Sequence, residues 1–416
     1  MTTEIGLSPL RIDSERLNQR ISQLAQIGAL EGGGVCRLAL SDEDRAGRDL
    51  VCQWMADLGL EVSIDRIGNV VGMRKGKLDT LPVMTGSHID TVATGGPYDG
   101  NLGVLAGLEV IECLNDAGME TVHPLAVAFF TNEEGARFAP DMMGSGVHQG
   151  SMNLDTMLEV KGIDGKVVGK ELARIGYAGT APTGSVRARN FIELHIEQGP
   201  VLERRGLQIG AVTGVQGISW TEYTIDGVSN HAGTTPMEFR HDPGYVAAQI
   251  SIEARRLAAE IGHGQVATVG QIKLHPNLIN VIPRQAIVTV DLRNMKEELL
   301  EAAEDKMASF IQAISIEEGV NVSTRRLARF QPVHFDPAMT ELVQHYADLF
   351  DYSCQQMPSG AGHDAQMFAP NCPATMIFVP SQGGISHNIR EYTAPEQLAR
   401  GGNILLQTMI HCATQE

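Results

Sequence analysis

Five short stretches of this chain carry residue types that bind metal ions and move protons. The first is Gly86-Ser87-His88-Ile89-Asp90-Thr91, directly after an apolar run. Residues two apart share a face in an extended chain, so Asp90 is placed to orient the His88 imidazole, a common arrangement beside metal-ligating histidines. The second, Gly95-Gly96-Pro97-Tyr98-Asp99-Gly100-Asn101, is a tight loop before a helix. There Asp99 reads either as a ligand or as an acidic residue favoured at a helix start. The third, Phe129-Phe130-Thr131-Asn132-Glu133-Glu134-Gly135, sets two adjacent carboxylates after a fully apolar strand. Carboxylates crowded at a buried strand end repel one another unless a cation or a shared proton relieves them. The fourth, Glu193-Leu194-His195-Ile196-Glu197-Gln198-Gly199, places His195 among apolar residues at a strand end. The fifth, Gly383-Gly384-Ile385-Ser386-His387-Asn388, is again a loop after a strand.

The elements that must position these residues follow from periodicity. Residues 45–58 and 102–117 have helical spacing, whereas 60–67, 81–85, 125–130, 191–196 and 375–379 read as strands. This alternation predicts an α/β domain with helices covering a largely buried sheet. The last strand lies far along the chain, so a segment is inserted before it. Strands at 220–226, 266–274, 286–292 and 320–325 with helices at 245–261 and 297–314 give the order βαββαβ, the ferredoxin-like pattern. The insert is placed at 212–328, between a first part, 1–211, and a second, 329–416. Gly32-Gly33-Gly34 does not follow a strand and so makes a poor dinucleotide loop.

Open α/β sheets bind ligands at the carboxyl ends of their strands, where all five stretches fall. Three imidazoles and several carboxylates at one edge suit a pair of borderline divalent ions, Zn²⁺, Mn²⁺, Co²⁺ or Ni²⁺, with one carboxylate bridging. Mg²⁺ and Ca²⁺ prefer shells made of oxygen alone.

Composition bounds the alternatives. The 416 residues are 43% hydrophobic with a formal charge of −18, and no basic block offsets the acidic surface, which excludes nucleic-acid and membrane-surface roles. The opening Met1-Thr2-Thr3-Glu4-Ile5-Gly6 lacks the features of a secretory signal and no segment approaches a bilayer span, so the chain reads as cytoplasmic. Its six cysteines form no CxxC pair and read as reduced and structural.

The five stretches, together with Asn230-His231-Ala232-Gly233-Thr234-Thr235-Pro236-Met237 in the insert, resemble the hydantoinase/carbamoylase branch of the dinuclear metallopeptidase-related amidases. The likeness runs in order through nearly the whole chain. It implies a mixed-sheet dinuclear metallohydrolase domain with an inserted ferredoxin-like domain that acts as lid and dimerisation surface of a homodimer. It further implies that His88, Asp99 and His195 hold one metal, and that Asp99, Glu134 and His387 hold the other. Glu133 is then the general base that passes a proton to the leaving nitrogen, with Asp90 orienting His88. Peptidase relatives often carry a carboxylate where this chain has His195, which favours the amidase branch. His231 resembles the residue that polarises the substrate carbonyl, and Asn280 and Arg293 those that clamp its carboxylate. Gln198, Gln216, Gly362 and the His363-Asp364 pair are further substrate-side candidates. The substrate class implied is a small carbamoyl or ureido carboxylate: an N-carbamoyl-L-amino acid first, allantoate or a β-ureido acid second. A dinuclear aminoacylase or peptidase is more distant, and the intact Glu133 argues against a non-enzymatic scaffold.

Overall fold

The computed structural model describes residues 9–415, so the opening stretch Met1–Gly6 lies outside the described residues. In chain order the strands are β1 (Glu61–Ile64), β2 (Val70–Arg74), β3 (Val83–His88), β4 (Leu125–Phe130), β5 (Asn190–Ile196), β6 (Ile209–Val215), β7 (Gly217–Asp226), β8 (Asn230–His231), β9 (Val266–His275), β10 (Val281–Ile282), β11 (Gln285–Asn294), β12 (Asn321–Phe330), β13 (Val333–His334), β14 (Cys354–Ser359) and β15 (Ala374–Val379). The chain divides into two compact units, one made of the residues up to Gly214 and from His334 onward, the other of Val215–Val333.

The first unit is built on a mixed sheet in the order β1-β2-β4-β3-β5-β15-β6-β13, with β14 paired to β6. Its centre is parallel: β3 pairs with β4 and β5, and β5 with β15. β3, β4 and β15 are buried along their whole length and β5 from Phe191 on, as apolar runs covered on both faces must be. Because these four strands run the same way, His88, Phe130, Ile196 and Val379 end at one edge. The helix Asn101–Asp116 is apolar nearly all round and buried from Asn101 to Ile111. A Cβ on Gly103 would lie 2.7 Å from the Leu194 carbonyl oxygen, so glycine lets this helix approach the sheet closely.

Two buried guanidinium groups tie the amino-terminal segment to the loops at that edge. Arg37, fully buried, donates to the carbonyls of Ile89 (2.7 Å), Leu24 (3.1 Å) and Ile27 (2.8 Å) and to Asn101 Oδ1 (2.8 Å). Arg48, on the helix Asp42–Asp57, pairs with Asp44 at 2.8 Å and reaches the Gly68 carbonyl (2.7 Å) and Thr131 Oγ1 (3.2 Å). Such groups are stable in a core only when their donors are satisfied.

The second unit is a four-stranded antiparallel sheet in the order β12-β7-β11-β9. The helices Pro243–Ile261 and Glu297–Glu318 share its apolar core, and β11 alternates buried and half-buried residues along its ten positions. Strand–helix–strand–strand–helix–strand is its chain order once the two-residue ladder between β8 and β10 is set aside. That ladder is too short for periodicity to register.

Other differences from the sequence reading have local causes. The strand expected at 60–67 stops at Ile64 because Asp65 and Gly68 turn the chain into β2, forming a hairpin. The strand expected at 81–85 runs on to His88. The second unit begins and ends a few residues later than 212–328. All six cysteines are free, and no helix of the described residues is long and apolar enough to cross a membrane.

Candidate metal centre

Every strand that ends at the common edge delivers a polar side chain there. His88 is the last residue of β3 and His195 the penultimate residue of β5, both buried. Asp99 comes from the loop before the helix Asn101–Asp116, Glu133 and Glu134 from the turn after β4, and His387 from the loop after β15. Asp99 is the hub. Its Oδ1 lies 3.1 Å from His195 Nε2 and 3.6 Å from His88 Nε2, and its Oδ2 lies 3.4 Å from His387 Nε2. Glu134 Oε2 is 3.2 Å from His387 Nε2, and Glu133 Oε2 is 3.3 Å from His88 Nε2. Two three-residue groups with ligand atoms within 4.8 Å of one another share Asp99: His88, Asp99 and His195, and Asp99, Glu134 and His387. A third, Glu193, His195 and His363, overlaps the first.

The donor set fits cations. His88 Nδ1 donates to the Asp90 carbonyl at 2.9 Å, and His195 Nδ1 to the Ile196 carbonyl at 2.8 Å. His195 Nε2 in turn accepts from the Gly100 amide at 3.1 Å. A neutral imidazole carries one N–H, so both rings present a lone pair on Nε2 toward carboxylate oxygens. Lone pairs facing across such distances repel unless positive charge lies between them. The buried Gln198 Oε1, in the same cluster, also has no hydrogen-bond donor. Neutral imidazoles with carboxylates are the donors that borderline divalent ions take.

Where no cation intervenes, protons supply the charge. Burial opposes ionisation of Asp99, but hydrogen bonding with His195, His387 and His88 outweighs it and holds the carboxyl well below its usual range. Hydrogen bonds to Asp99 and Glu134 push His387 up to about 10. Burial raises Glu133 well above the usual carboxylate range, and the charges of Asp364, Glu134 and Asp99 add to this against the opposing pull of His88. Glu133 belongs to neither of the two groups that share Asp99, yet lines the same cavity of about 110 Å³.

The local backbone is unusual. Among the described residues seven non-glycine positions have positive φ, and Asn132 (56°), Gln198 (57°) and His387 (53°) all belong to the loops of this site. Left-handed backbone outside glycine costs energy and concentrates where side chains must be aimed.

Asp90 departs from expectation. Its carbonyl, not its carboxylate, orients His88; Oδ1 is 4.0 Å from His88 Nδ1 and accepts from the Glu133 amide, and Oδ2 accepts from the Glu134 amide, each at 3.3 Å. Strand geometry ends at His88, so the two-residue alternation behind the expectation no longer holds at Asp90.

Gln198 Nε2 donates to Asp99 Oδ2 at 2.8 Å, which makes it a neighbour of the hub. Gly362 and His363 line the cavity, with His363 Nε2 2.9 Å from Ser359 Oγ and its ring edge-on to His195. Asp364 is fully buried with neither carboxylate oxygen hydrogen-bonded, and burial together with Glu193 pushes it up to about 8. In the second unit, His231 and Asn280 are exposed neighbours, the Ala232 amide donating to the Asn280 carbonyl at 3.0 Å. Arg293 is held by Asp291 at 2.8 Å and lies over the Trp220 ring at 5.8 Å. Gln216 sits between β6 and β7.

Two buried carboxylates escape the sequence reading. Glu193 accepts from Ser87 Oγ (2.6 Å) and the Ala365 amide (2.8 Å); its signal is the two-residue spacing to His195, which puts both on one face of β5. Glu391 accepts from the amides of Tyr98 and Asp99, each at 3.1 Å, and from Ser386 Oγ at 3.0 Å. A lone glutamate in a loop gives no signal.

Gly100 offers a direct check on this geometry. It has φ 66°, and a Cβ there would lie 2.3–2.5 Å from three atoms of the His88 ring. Gly100→Ala is expected to displace that imidazole and to weaken metal binding by at least about tenfold, read by metal titration, while the far-ultraviolet circular dichroism stays unchanged. Unaltered affinity would show that His88 has room to move without consequence.

Residues 78–411 match the model of peptidase family M20/M25/M40. The chain is 40% identical over 404 residues to an N-carbamoyl-L-amino-acid amidohydrolase of Rhizobium meliloti, covering 97% of each chain. It is 35% identical over 396 residues to an allantoate amidohydrolase of Bacillus subtilis, covering 94% of this chain and 96% of the relative. A crystal structure of a hydantoinase/carbamoylase family amidase from Burkholderia multivorans superposes with a TM-score of 0.96 at 43% identity, covering 98% of this chain and 99% of that one. With that likeness running through the whole of both units, this chain belongs to the M20/M25/M40 peptidase family and, within it, to the hydantoinase/carbamoylase amidases.

Proposed function

We propose that this chain hydrolyses N-carbamoyl-L-amino acids, cleaving the carbamoyl C–N bond to give the amino acid, ammonia and carbon dioxide. The observation that carries the reading is the position of Glu133, a buried carboxylate in the cavity beside the Asp99 cluster that neither candidate ligand group uses. The identity to the Rhizobium meliloti amidohydrolase supports the choice of substrate.

His88, Asp99 and His195 would hold one divalent ion and Asp99, Glu134 and His387 a second, with Zn²⁺, Mn²⁺, Co²⁺ or Ni²⁺ suited to the donors. Such ions, when bound, polarise a carbonyl and make water acidic enough to attack near neutral pH. Glu133 takes the proton from the attacking water and delivers it to the departing nitrogen, which balances the hydrolysis without net change in the protein. The backbone carbonyls of Asp90 and Ile196 keep the His88 and His195 rings in the tautomer that leaves Nε2 unprotonated. Asp90 uses its carboxylate to fix the Glu133-Glu134 turn.

The substrate side falls to Gln198, Gly362 and His363 in the first unit and to Gln216, His231, Asn280 and Arg293 in the second, which acts as a ferredoxin-like lid. Arg293 would exchange Asp291 for the substrate carboxylate, for which its planar donors are matched. Arg293→Ala is expected to cost about 2–5 kcal/mol in kcat/KM for substrates with a free carboxylate and far less for their amides. Equal losses on both would make the arginine structural. The sheet of the second unit has edge strands, β12 and β9, that suit pairing with a second copy, and we propose a homodimer through this unit, with His231 completing the partner's site. A monomeric, fully active enzyme in sedimentation would refute that assembly.

The second reading is allantoate, favoured by the Bacillus subtilis relative, with a β-ureido acid as the further alternative. A panel of N-carbamoyl-L-amino acids, N-carbamoyl-β-alanine, allantoate and N-acetyl amino acids, assayed for ammonia and amine release, separates the readings. The highest kcat/KM on an N-acetyl amino acid would overturn both.

A further inference from the structure

Asp99 and His387 come from loops that no strand pairing among the described residues joins, and they lie 288 positions apart in the chain. One buried side chain spans the gap. Glu391, 4% exposed, closes the loop that carries His387 and accepts through Oε1 from the amides of Tyr98 and Asp99, each at 3.1 Å. Its Oε2 accepts from Ser386 Oγ at 3.0 Å, and Ser386 Oγ also lies 3.0 Å from Asp99 Oδ2. A ring of contacts therefore runs from the Asp99 amide through Glu391 and Ser386 back to the Asp99 carboxylate. Gly96 is shaped around this carboxylate: a Cβ there would meet Glu391 Oε1 at 2.2 Å and its Cδ at 2.4 Å.

No arginine, lysine or histidine forms an ion pair with Glu391 among the described residues. A buried carboxylate without a cation, close to Asp99, is a costly way to hold two loops together if holding them were all it did. An apolar residue of the same size would avoid the buried charge but leave the Tyr98 and Asp99 amides without an acceptor. What the carboxylate adds is direction: two acceptors that fix the Asp99 main chain and the Ser386 hydroxyl in one frame.

We propose that Glu391 is a positioning residue that sets the distance between Asp99 and His387, and so determines how tightly the Asp99–Glu134–His387 group holds its divalent ion. This rests on the reading that Asp99 and His387 are ligands. Neighbours that orient ligands in this way typically govern affinity by factors of about 10–100.

The test titrates the metal-free full chain with Zn²⁺ against a chromophoric chelator, for the parent, Glu391→Ala, Glu391→Gln and Gly96→Ala, with thermal melting of each metal-free form alongside. Glu391→Ala is expected to weaken one of two equivalents by about 10–100-fold and the other much less. Gly96→Ala, which retains the glutamate but displaces it, should do the same and serves if Glu391→Ala does not fold. Glu391→Gln should stay within roughly threefold of the parent, because its amide oxygen accepts the two backbone amides while its nitrogen donates to Ser386. A lowered melting temperature with both equivalents unchanged would overturn the proposal and leave Glu391 a structural residue. So would equal weakening of both equivalents, or a glutamine variant as weak as the alanine one. A parent that binds no Zn²⁺ would instead refute the metal reading itself, and this proposal with it.

Discussion

Glu133→Gln is expected to lower kcat by roughly 10²–10⁴ while bound metal and substrate KM stay close to those of the parent. The size follows from what the substitution removes. Glutamine keeps the shape of the side chain but neither takes a proton from water nor passes one to the leaving nitrogen. Glu133 lies outside both ligand groups that share Asp99, so the ligands remain complete. Burial and the neighbouring Asp364, Glu134 and Asp99 hold its carboxyl well above the usual range, which suits a group that must gain and then lose a proton. Stopped assays with metal analysis of the same samples check this. Near-normal turnover would remove Glu133 from the role, and lost metal would make it a ligand.

Asp99→Ala is expected to have the wider effect, bringing activity to background and bound metal to below about one equivalent per chain, because no other residue belongs to both groups. The vacancy also strands its partners: three imidazoles, Gln198 and Ser386 all converge on this carboxylate. Glu134→Ala, by contrast, removes a member of one group only, so its first equivalent should survive. Elemental analysis after gel filtration distinguishes the two variants. Two full equivalents on Asp99→Ala would show that the ions, if any, are bound elsewhere.

Much of this site is legible in the amino-acid sequence. The runs that become β3, β4, β5 and β15 each carry, at their end or in the loop that follows, a residue type that binds metal or protons, and parallel strands bring those ends to one edge. The alternation along β11 and the helical spacing at 297–314 likewise indicate the order of elements in the second unit. What stays hidden is set by tertiary contact. The role of the Asp90 carboxylate depends on where β3 stops, and that of Glu391 on a loop whose partner lies 292 residues earlier. The strand read at 60–67 overruns β1 into the turn formed by Asp65 and Gly68, and β2 goes unread because its five residues show no alternation. The pairing of Arg293 with Asp291 arises from two-residue spacing on β11, an alternative the sequence also allows.

The central claim is that this chain uses metal held around Asp99 to break a carbamoyl C–N bond. The most direct measurement titrates metal-free protein with Mn²⁺ or Zn²⁺ while ammonia and free amino acid released from an N-carbamoyl-L-amino acid are followed in the same sample. The account predicts no release without metal, then equimolar ammonia and amino acid, with the rate levelling off near about two equivalents per chain. Full release from demonstrably metal-free protein would contradict it, as would metal-loaded protein that leaves the carbamoyl bond intact while hydrolysing an N-acetyl amino acid.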